Sequence, residues 1–376
     1  MMGAGFADGM GDRIRPLAWI AAAAAAALIV GAACGSEPTG AEESPSPAVS
    51  PAASGLDPVL LGAALDQAGA LPQLRSLIVA RDGRVIAERV FRGPGLDTPV
   101  NIKSASKAVI SALVGIAIAK GELTGPDQRI APVLGRRVPA SADPRVQTLT
   151  VGNLLSMQAG LERTSGRNYG RWVTSRDWVG YALAQPFVDQ PGGGMLYSTG
   201  STHILSAVLT DAAGRPTLQL AREWLAGPLG LNLPPWPRDP QGVYFGGNDM
   251  LMSPRALLRF GEMYRNGGVH QGRQVVPAEW VRQSWTVRTR SPRNGNGYGY
   301  GWWIKEVGGH PVYFAWGHGG QMVYVAPSLA MTVVMTSDPN ARSVDGHLQA
   351  LHGIFDRLLV PAAERGGLAA DGAASS

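Results

Sequence analysis

The stretch Asn101–Lys120 constrains this chain more than any other. From Ala108 to Ala119 it reads Ala-Val-Ile-Ser-Ala-Leu-Val-Gly-Ile-Ala-Ile-Ala, apolar or small throughout. A helix here is hydrophobic all round and belongs inside a sizeable core. Its front edge is polar: Lys103-Ser104-Ala105-Ser106-Lys107. Ser104 stands where an N-cap or first-turn residue belongs, and Lys107 follows three residues later, so both side chains lie on one helical face. A hydroxyl and an amine so placed can share a hydrogen bond, and a neutral amine can take the hydroxyl's proton. The helix N-terminus adds spare N–H groups and partial positive charge beside any oxyanion formed on attack. Ser is also a common N-cap, and a Lys one turn later is ordinary. The pair therefore points to a nucleophile and its base only in the company of further motifs.

The length of 376 residues allows about two domains, and a hydrophobic fraction of 45% is ample for a large core. The net charge of +5 comes mostly from scattered Arg, with no run of like charges. There is no basic stripe and no zinc-finger spacing, so nucleic acid is not an expected partner. The six His show no metal-ligand spacing; His347 and His352 read as surface residues of a terminal helix. No metal and no cofactor are expected.

Arg13 and Arg15 precede an apolar run from Leu17 to Ala33 that ends in Gly31-Ala32-Ala33-Cys34. A charged n-region, an h-region and a small-residue cleavage site identify residues 1–34 as a signal peptide, with Met10 as an alternative start. Twin arginines are absent, which favours the general secretory route. Cys34, the only cysteine, excludes an intramolecular disulfide. Its position directly after the h-region resembles the lipidation site of bacterial lipoproteins. Residues 35–55, rich in Ser, Pro, Ala and Glu, read as a tether. The expectation is an extracytoplasmic protein held at the membrane through Cys34; a transmembrane anchor and plain secretion are the alternatives.

Helical spacing runs from Leu56 to Ala70. Leu74–Ala80 and Val85–Phe91 are β-rich runs joined by Arg81-Asp82-Gly83, a hairpin signal. Leu149–Gly160 reads as a capped helix, and Ser253–Asn266 as an amphipathic one with Ser253-Pro254 at its start. Strand patterns return at Tyr298–Val307, Val312–Trp316, Gln321–Val325 and Ala330–Thr336, before a final helix His347–Leu359. The predicted architecture is α+β: one sheet built from both ends of the chain, packed by terminal helices, with a helical lobe (about 108–240) inserted between. The globular domain spans 56–362, and 363–376 is a disordered tail.

Two companion motifs follow Ser104-x-x-Lys107. One is Tyr197-Ser198-Thr199, and the other is Gly317-His318-Gly319-Gly320, between two strand patterns. Taken in this order the three resemble the signature of the serine β-lactamase-like hydrolases: class C β-lactamases, D-alanyl-D-alanine carboxypeptidases, family VIII esterases and 6-aminohexanoate-dimer hydrolases. The resemblance covers about residues 55 to 362 and extends to Asn153–Leu161 and Asn248–Pro254.

It implies that Ser104 is the acylated nucleophile and Lys107 its general base. Tyr197 shares the proton relay, protonates the leaving group and activates the deacylating water. The backbone N–H groups of Ser104 and Gln321 form the oxyanion hole, and His318 closes the relay from the strand side. Thr199, Gly319, Gly320, Tyr169, Trp172 and Trp316 are the expected substrate-binding residues. Lys107 can act as a base only with a pKa well below that of free Lys, through burial. Thr199 stands where β-lactamases carry Asn, and His318 replaces the Lys that meets a β-lactam carboxylate; both changes recur in the esterase and linear-amide branch. The implied function is an extracytoplasmic serine hydrolase of small esters or linear amides. A carboxypeptidase or β-lactamase is the enzymatic alternative, and a non-catalytic cell-envelope binding protein the alternative of another class.

Overall fold

The protein is seen in a computed structural model that describes residues 55–341 and 346–366. Cys34, the expected signal peptide and nearly all of the tether lie outside the described residues.

Alternating apolar residues make one sheet the scaffold. Strands β1 (Leu74–Arg81) and β2 (Arg84–Val90) form the predicted hairpin, turning through Asp82 and Gly83. From the other end of the chain come β3 (Thr289–Arg290), β4 (Gly297–Tyr298), β5 (Trp303–Val307), β6 (His310–Gly317), β7 (Gln321–Ala326) and β8 (Met331–Ser337). The eight strands pair antiparallel in the order β2-β1-β8-β7-β6-β5-β4-β3. The N-terminal hairpin thus docks on the last strand, with Ile78 opposite Val334 and Val79 opposite Val333.

Both faces of the sheet are covered, which is why its central strands read as near-continuous hydrophobic runs. Leu77, Val79, Val333 and Met335 share a cluster with the helices α1 (Pro58–Ala70) and α5 (His347–Ile354). Ile78, Ala80, Val323, Val325 and Val334 face the opposite way, toward α2 (Ser106–Ala119) and α4 (Pro254–Arg265). The period of two along each strand separates the two cores. Helix α2 is buried from Ser106 to Ala117. Helix α3 (Thr199–Ala213) and several shorter helices build the lobe on its far side.

Local chemistry sets the helix ends. Asp57 caps α1 by accepting from Val59 and Leu60 N–H, and Ser253 caps α4 by accepting from Ala256 N–H, with Pro254 in the first turn. The helix expected over 149–160 is real but short, Val151–Leu155, started by a Thr150–Asn153 capping box. Beyond it Met157 takes a left-handed φ of 63° and ends the helical path.

Two expectations need correction at the C-terminus. The chain stays helical through residue 366, past the predicted end at 362, because Ala363 is buried and its carbonyl accepts from Arg81 Nη1 at 2.8 Å. His347 and His352 are not surface residues. Leu351 and Ile354 seat α5 on the sheet, which brings His347 Nε2 to 3.0 Å from Ser337 Oγ and His352 Nδ1 to 2.9 Å from Tyr324 Oη. Among the described residues no helix is long and apolar enough to cross a membrane.

Candidate active site

The nucleophile's turn is built before α2 begins. A 3₁₀ turn, Lys103–Ala105, leads into the helix, so Ser104 precedes α2 rather than capping it. Val100–Asn101 pairs with Leu251–Met252, which brings the segment 246–252 against this turn. Asp249 Oδ1 accepts from Asn101 Nδ2 at 2.7 Å and from Lys103 Nζ at 3.0 Å. Asn101 Oδ1 in turn accepts from the Lys103 N–H at 2.9 Å, holding Lys103 at a positive φ of 50°. Strain held by its surroundings is typical of functional turns.

One turn further in, Lys107 is 2% exposed. Its Nζ donates to Ser104 Oγ at 3.1 Å, to Thr199 Oγ1 at 3.3 Å and to the Gly247 carbonyl at 2.6 Å. Burial pulls its pKa down to about 7, against the opposing pull of Asp249. A substantial share of the amine is therefore neutral near pH 7, with its lone pair free for the Ser104 proton.

Tyr197 is hydrogen-bonded to Ser104, and burial holds its hydroxyl well above the ordinary phenol range, so it stays protonated. Lys107 Nζ lies 5.0 Å from the centre of its ring. The ring is stacked on Trp303 at 5.6 Å and meets the edge of Tyr298 at 6.0 Å, which fixes its direction. Trp316 packs behind Trp303 at 6.4 Å. Thr199, the first residue of α3, also bonds Ser165, whose Oγ lies 3.0 Å from Thr199 Oγ1 and accepts from its N–H at 2.9 Å. Ser104, Lys107, Tyr197 and Thr199 thus meet as the sequence motifs predict.

Of three further expected residues, one lies at the site and two do not. Tyr169 is half-buried beside the site and accepts from Asn248 Nδ2 at 2.7 Å; burial lifts its hydroxyl to about 12. Trp172, three residues on and on the same helical face, lies wholly in the core. It packs on Trp178, His203 and Phe245 and donates from Nε1 to the Trp178 carbonyl at 2.9 Å, so it lines no pocket. His318 sits exposed on the turn between β6 and β7, where Gly319 and Gly320 take φ of 83° and 102°. Among the described residues it has no hydrogen-bond or ion-pair partner, so it closes no relay to Ser104, Lys107 or Tyr197.

Gln321 begins β7, opposite Gly317. It is fully buried, and its side-chain amide bonds both backbone groups of Ser337, at 2.9 Å and 3.2 Å. The end of β6 and the start of β7 both meet the nucleophile's turn, β6 the more closely. A Cβ on Gly317 would lie 2.2 Å from the Ile102 carbonyl oxygen. Strand β5 pairs with β6 only as far as Phe314, leaving the edge from Ala315 to His318 open beside Ser104.

Sequence reasoning missed the Gly247 carbonyl and Ser165 altogether. The Gly246-Gly247 doublet before Asn248-Asp249 was the available signal for the first; Ser165 carried none.

Residues 64–353 match the family model described as Beta-lactamase. The chain belongs to that family. Solved structures share its fold at low identity. A Bacillus anthracis protein assigned as a 6-aminohexanoate-dimer hydrolase superposes with a TM-score of 0.66 at 18% identity, covering 81% of each chain. EstCE1, a hydrolase with promiscuous acyltransferase activity, gives 0.64 at 20% identity, covering 79% of this chain and 98% of its own. A D-stereospecific amidohydrolase from Streptomyces sp. gives 0.60 at 18% identity, with the same coverage. No curated protein matches by sequence. Like other members of the β-lactamase family, this chain is a serine hydrolase.

Proposed function

We propose that the protein is an extracytoplasmic hydrolase that cleaves small esters or linear amides through an acyl-enzyme on Ser104. The observation that carries this reading is the 3.1 Å contact between Ser104 Oγ and a buried Lys107 whose pKa lies near 7. A neutral Lys107 takes the Ser104 proton as Oγ attacks the carbonyl carbon, giving a tetrahedral oxyanion. The Ser104 N–H and the N–H of His318, first beyond Gly317 on the open edge, receive that negative charge. Collapse breaks the C–O or C–N bond, and the leaving group takes a proton from Tyr197, which Lys107 replenishes. Water then attacks the ester on Ser104, giving its proton to the same pair, and the acid leaves.

The substrate class is supported by two features. Thr199 Oγ1 is engaged by Lys107 and Ser165, and His318 stands where β-lactamases carry a cation. Two of the structural neighbours are described as an amidohydrolase and a 6-aminohexanoate-dimer hydrolase. The extracytoplasmic location and a lipid anchor on Cys34 rest on the sequence of residues 1–34 alone. Intact-mass analysis after incubation with p-nitrophenyl butyrate, a short linear amide or benzylpenicillin tests the reading. An acyl adduct confined to Ser104 and formed with the ester or amide is expected; no adduct with any of the three overturns it.

A further inference from the structure

Thr199 and His203 lie four residues apart on α3 and so share a face. Thr199 meets Lys107. One turn below, His203 is wholly buried, ringed by Trp172, Trp178 and Phe245. Both of its ring nitrogens are engaged. Nε2 lies 2.9 Å from Asp239 Oδ2, and Nδ1 lies 3.3 Å from the backbone nitrogen of Gly246. The Gly246 N–H can only donate, so Nδ1 accepts and the ring proton sits on Nε2, directed at the carboxylate. The Asp239 side chain is itself fully buried and accepts from the N–H groups of Gln241 at 2.9 Å and Val243 at 2.8 Å. Gly246 immediately precedes Gly247, whose carbonyl is the closest acceptor to Lys107 Nζ. Gly247 has no slack there: a Cβ would lie 2.7 Å from Thr202 Cβ and 3.2 Å from Lys107 Cγ. The catalytic steps above use neither His203 nor Asp239.

We infer that the Asp239–His203 couple is a positioning device for the general base. By fixing the imidazole tautomer it anchors the Gly246 N–H, and so holds the Gly247 carbonyl against the Lys107 amine. A carbonyl at that distance stabilises the ammonium over the free amine and thereby sets how readily Lys107 becomes a base. This deepens the reading of the site given above and rests on it for the role of Lys107. The other charged or titratable groups around Lys107 are Tyr197, ahead of α3, and Asp249, paired with Lys103 on the neighbouring segment. The variants below leave all of them in place.

Asp239→Asn is the sharpest test because it keeps the shape. If the amide NH₂ faces His203 Nε2, the ring proton must move to Nδ1, where it opposes the Gly246 N–H. If the amide is flipped, its NH₂ opposes the Gln241 and Val243 N–H groups instead. Asp239→Ala removes more contacts but lets the ring keep its tautomer. The readout is the titration of Lys107 by ¹⁵N-lysine NMR, assigned through Lys107→Met; Lys103, Lys120 and Lys305 are the only other lysines.

With Asp239→Asn the Lys107 pKa should fall by about one pH unit, and the acid limb of kcat/KM for p-nitrophenyl butyrate should follow it downward. Asp239→Ala should melt at a lower temperature yet move the Lys107 titration less. Should Asp239→Asn not fold, His203→Gln serves: it leaves the Gly246 N–H without an acceptor, and the same fall is expected. Lys107 titrating as in the wild type in whichever variant folds overturns the inference, as does a larger change in Asp239→Ala than in Asp239→Asn. A displaced Lys107 titration in a protein without esterase turnover would instead remove the proposed function and leave the positioning role standing.

Discussion

The carbonyl oxygen of Ile102 abuts Gly317 so closely that a Cβ on Gly317 would lie 2.2 Å from it. This contact presses the end of β6 against the turn that carries Ser104 and sets the oxyanion edge relative to the nucleophile. Gly317→Ala must push the two backbones apart. Removing one oxyanion donor costs about a hundredfold or more in kcat. Gly317→Ala is therefore expected to lower kcat/KM for p-nitrophenyl butyrate by at least about a hundredfold. A loss below about threefold would mean that the strand edge has room to move.

The same contact shows where sequence reasoning stopped. The spacing of Ser104 and Lys107, and the order of the motifs after them, carried the chemistry because a helix turns three-residue spacing into one face. The strands were legible because each core face recurs every second residue, as with Leu77 and Val79 against Ile78 and Ala80. A run of glycines at 317, 319 and 320 does not say which one presses on the nucleophile's turn, and Gly317 abuts the Ile102 carbonyl. Trp172 looked like a pocket residue because an aromatic in a loop-rich stretch has no periodicity to betray its burial. The last helical turn, 363–366, is ordered by Arg81, a residue from the other end of the chain.

Lys107 trades stability for reactivity. Its pKa falls from 10.5 in the unfolded chain to about 7 in the folded one. Between those values the unfolded state binds more protons, so this residue makes stability rise with pH from about 7 to about 10.5 and adds nothing to that slope below. Every tenfold loss of proton affinity on folding is worth ~1.4 kcal/mol, and the ammonium form bears the full penalty at low pH. Lys107→Met is expected to abolish turnover while raising the melting temperature at pH 6. A variant less stable than the wild type would show that the amine's three hydrogen bonds outweigh its burial. In the wild type, kcat/KM should rise with pH through an acid limb near pH 7.

Ser104 and Ser106 are neighbours with different fates. Ser104 is bonded to Lys107 and Tyr197, whereas the Ser106 hydroxyl is buried and donates to the Lys103 carbonyl at 2.8 Å. Ser104→Ala should abolish turnover and the acyl adduct together. Ser106→Ala should leave kcat/KM within about threefold, with a stability loss of ~1 kcal/mol for the missing hydrogen bond. An adduct located on Ser106 by peptide mapping would refute the assignment.

Cys34 makes location testable. If it is acylated, the mature protein should partition into detergent, and Cys34→Ala should release a soluble domain or leave an uncleaved precursor. A wild-type protein that stays in the aqueous phase with its N-terminus at another residue would exclude the lipid anchor.

Penicillin separates the two enzymatic readings. A β-lactam carboxylate beside a strand Lys gains a charge-assisted hydrogen bond of about 1.5–3 kcal/mol. Here His318 takes that place in the motif and is turned out to solvent, and Gly319 offers no hydroxyl. Thr199 is too short to bridge to an acylamide as Asn does, and its oxygen is already shared between Lys107 and Ser165. Losing about 3 kcal/mol from these contacts together lowers the specificity constant by roughly two orders of magnitude. p-Nitrophenyl butyrate or a short linear amide is therefore expected to be turned over at least roughly tenfold more efficiently than benzylpenicillin, a margin set below that figure. The comparison of kcat/KM on purified protein decides it. Penicillin as the better substrate would mean that another cation meets its carboxylate, and Lys103, held by Asp249 beside the Ser104 turn, would be the first residue to substitute.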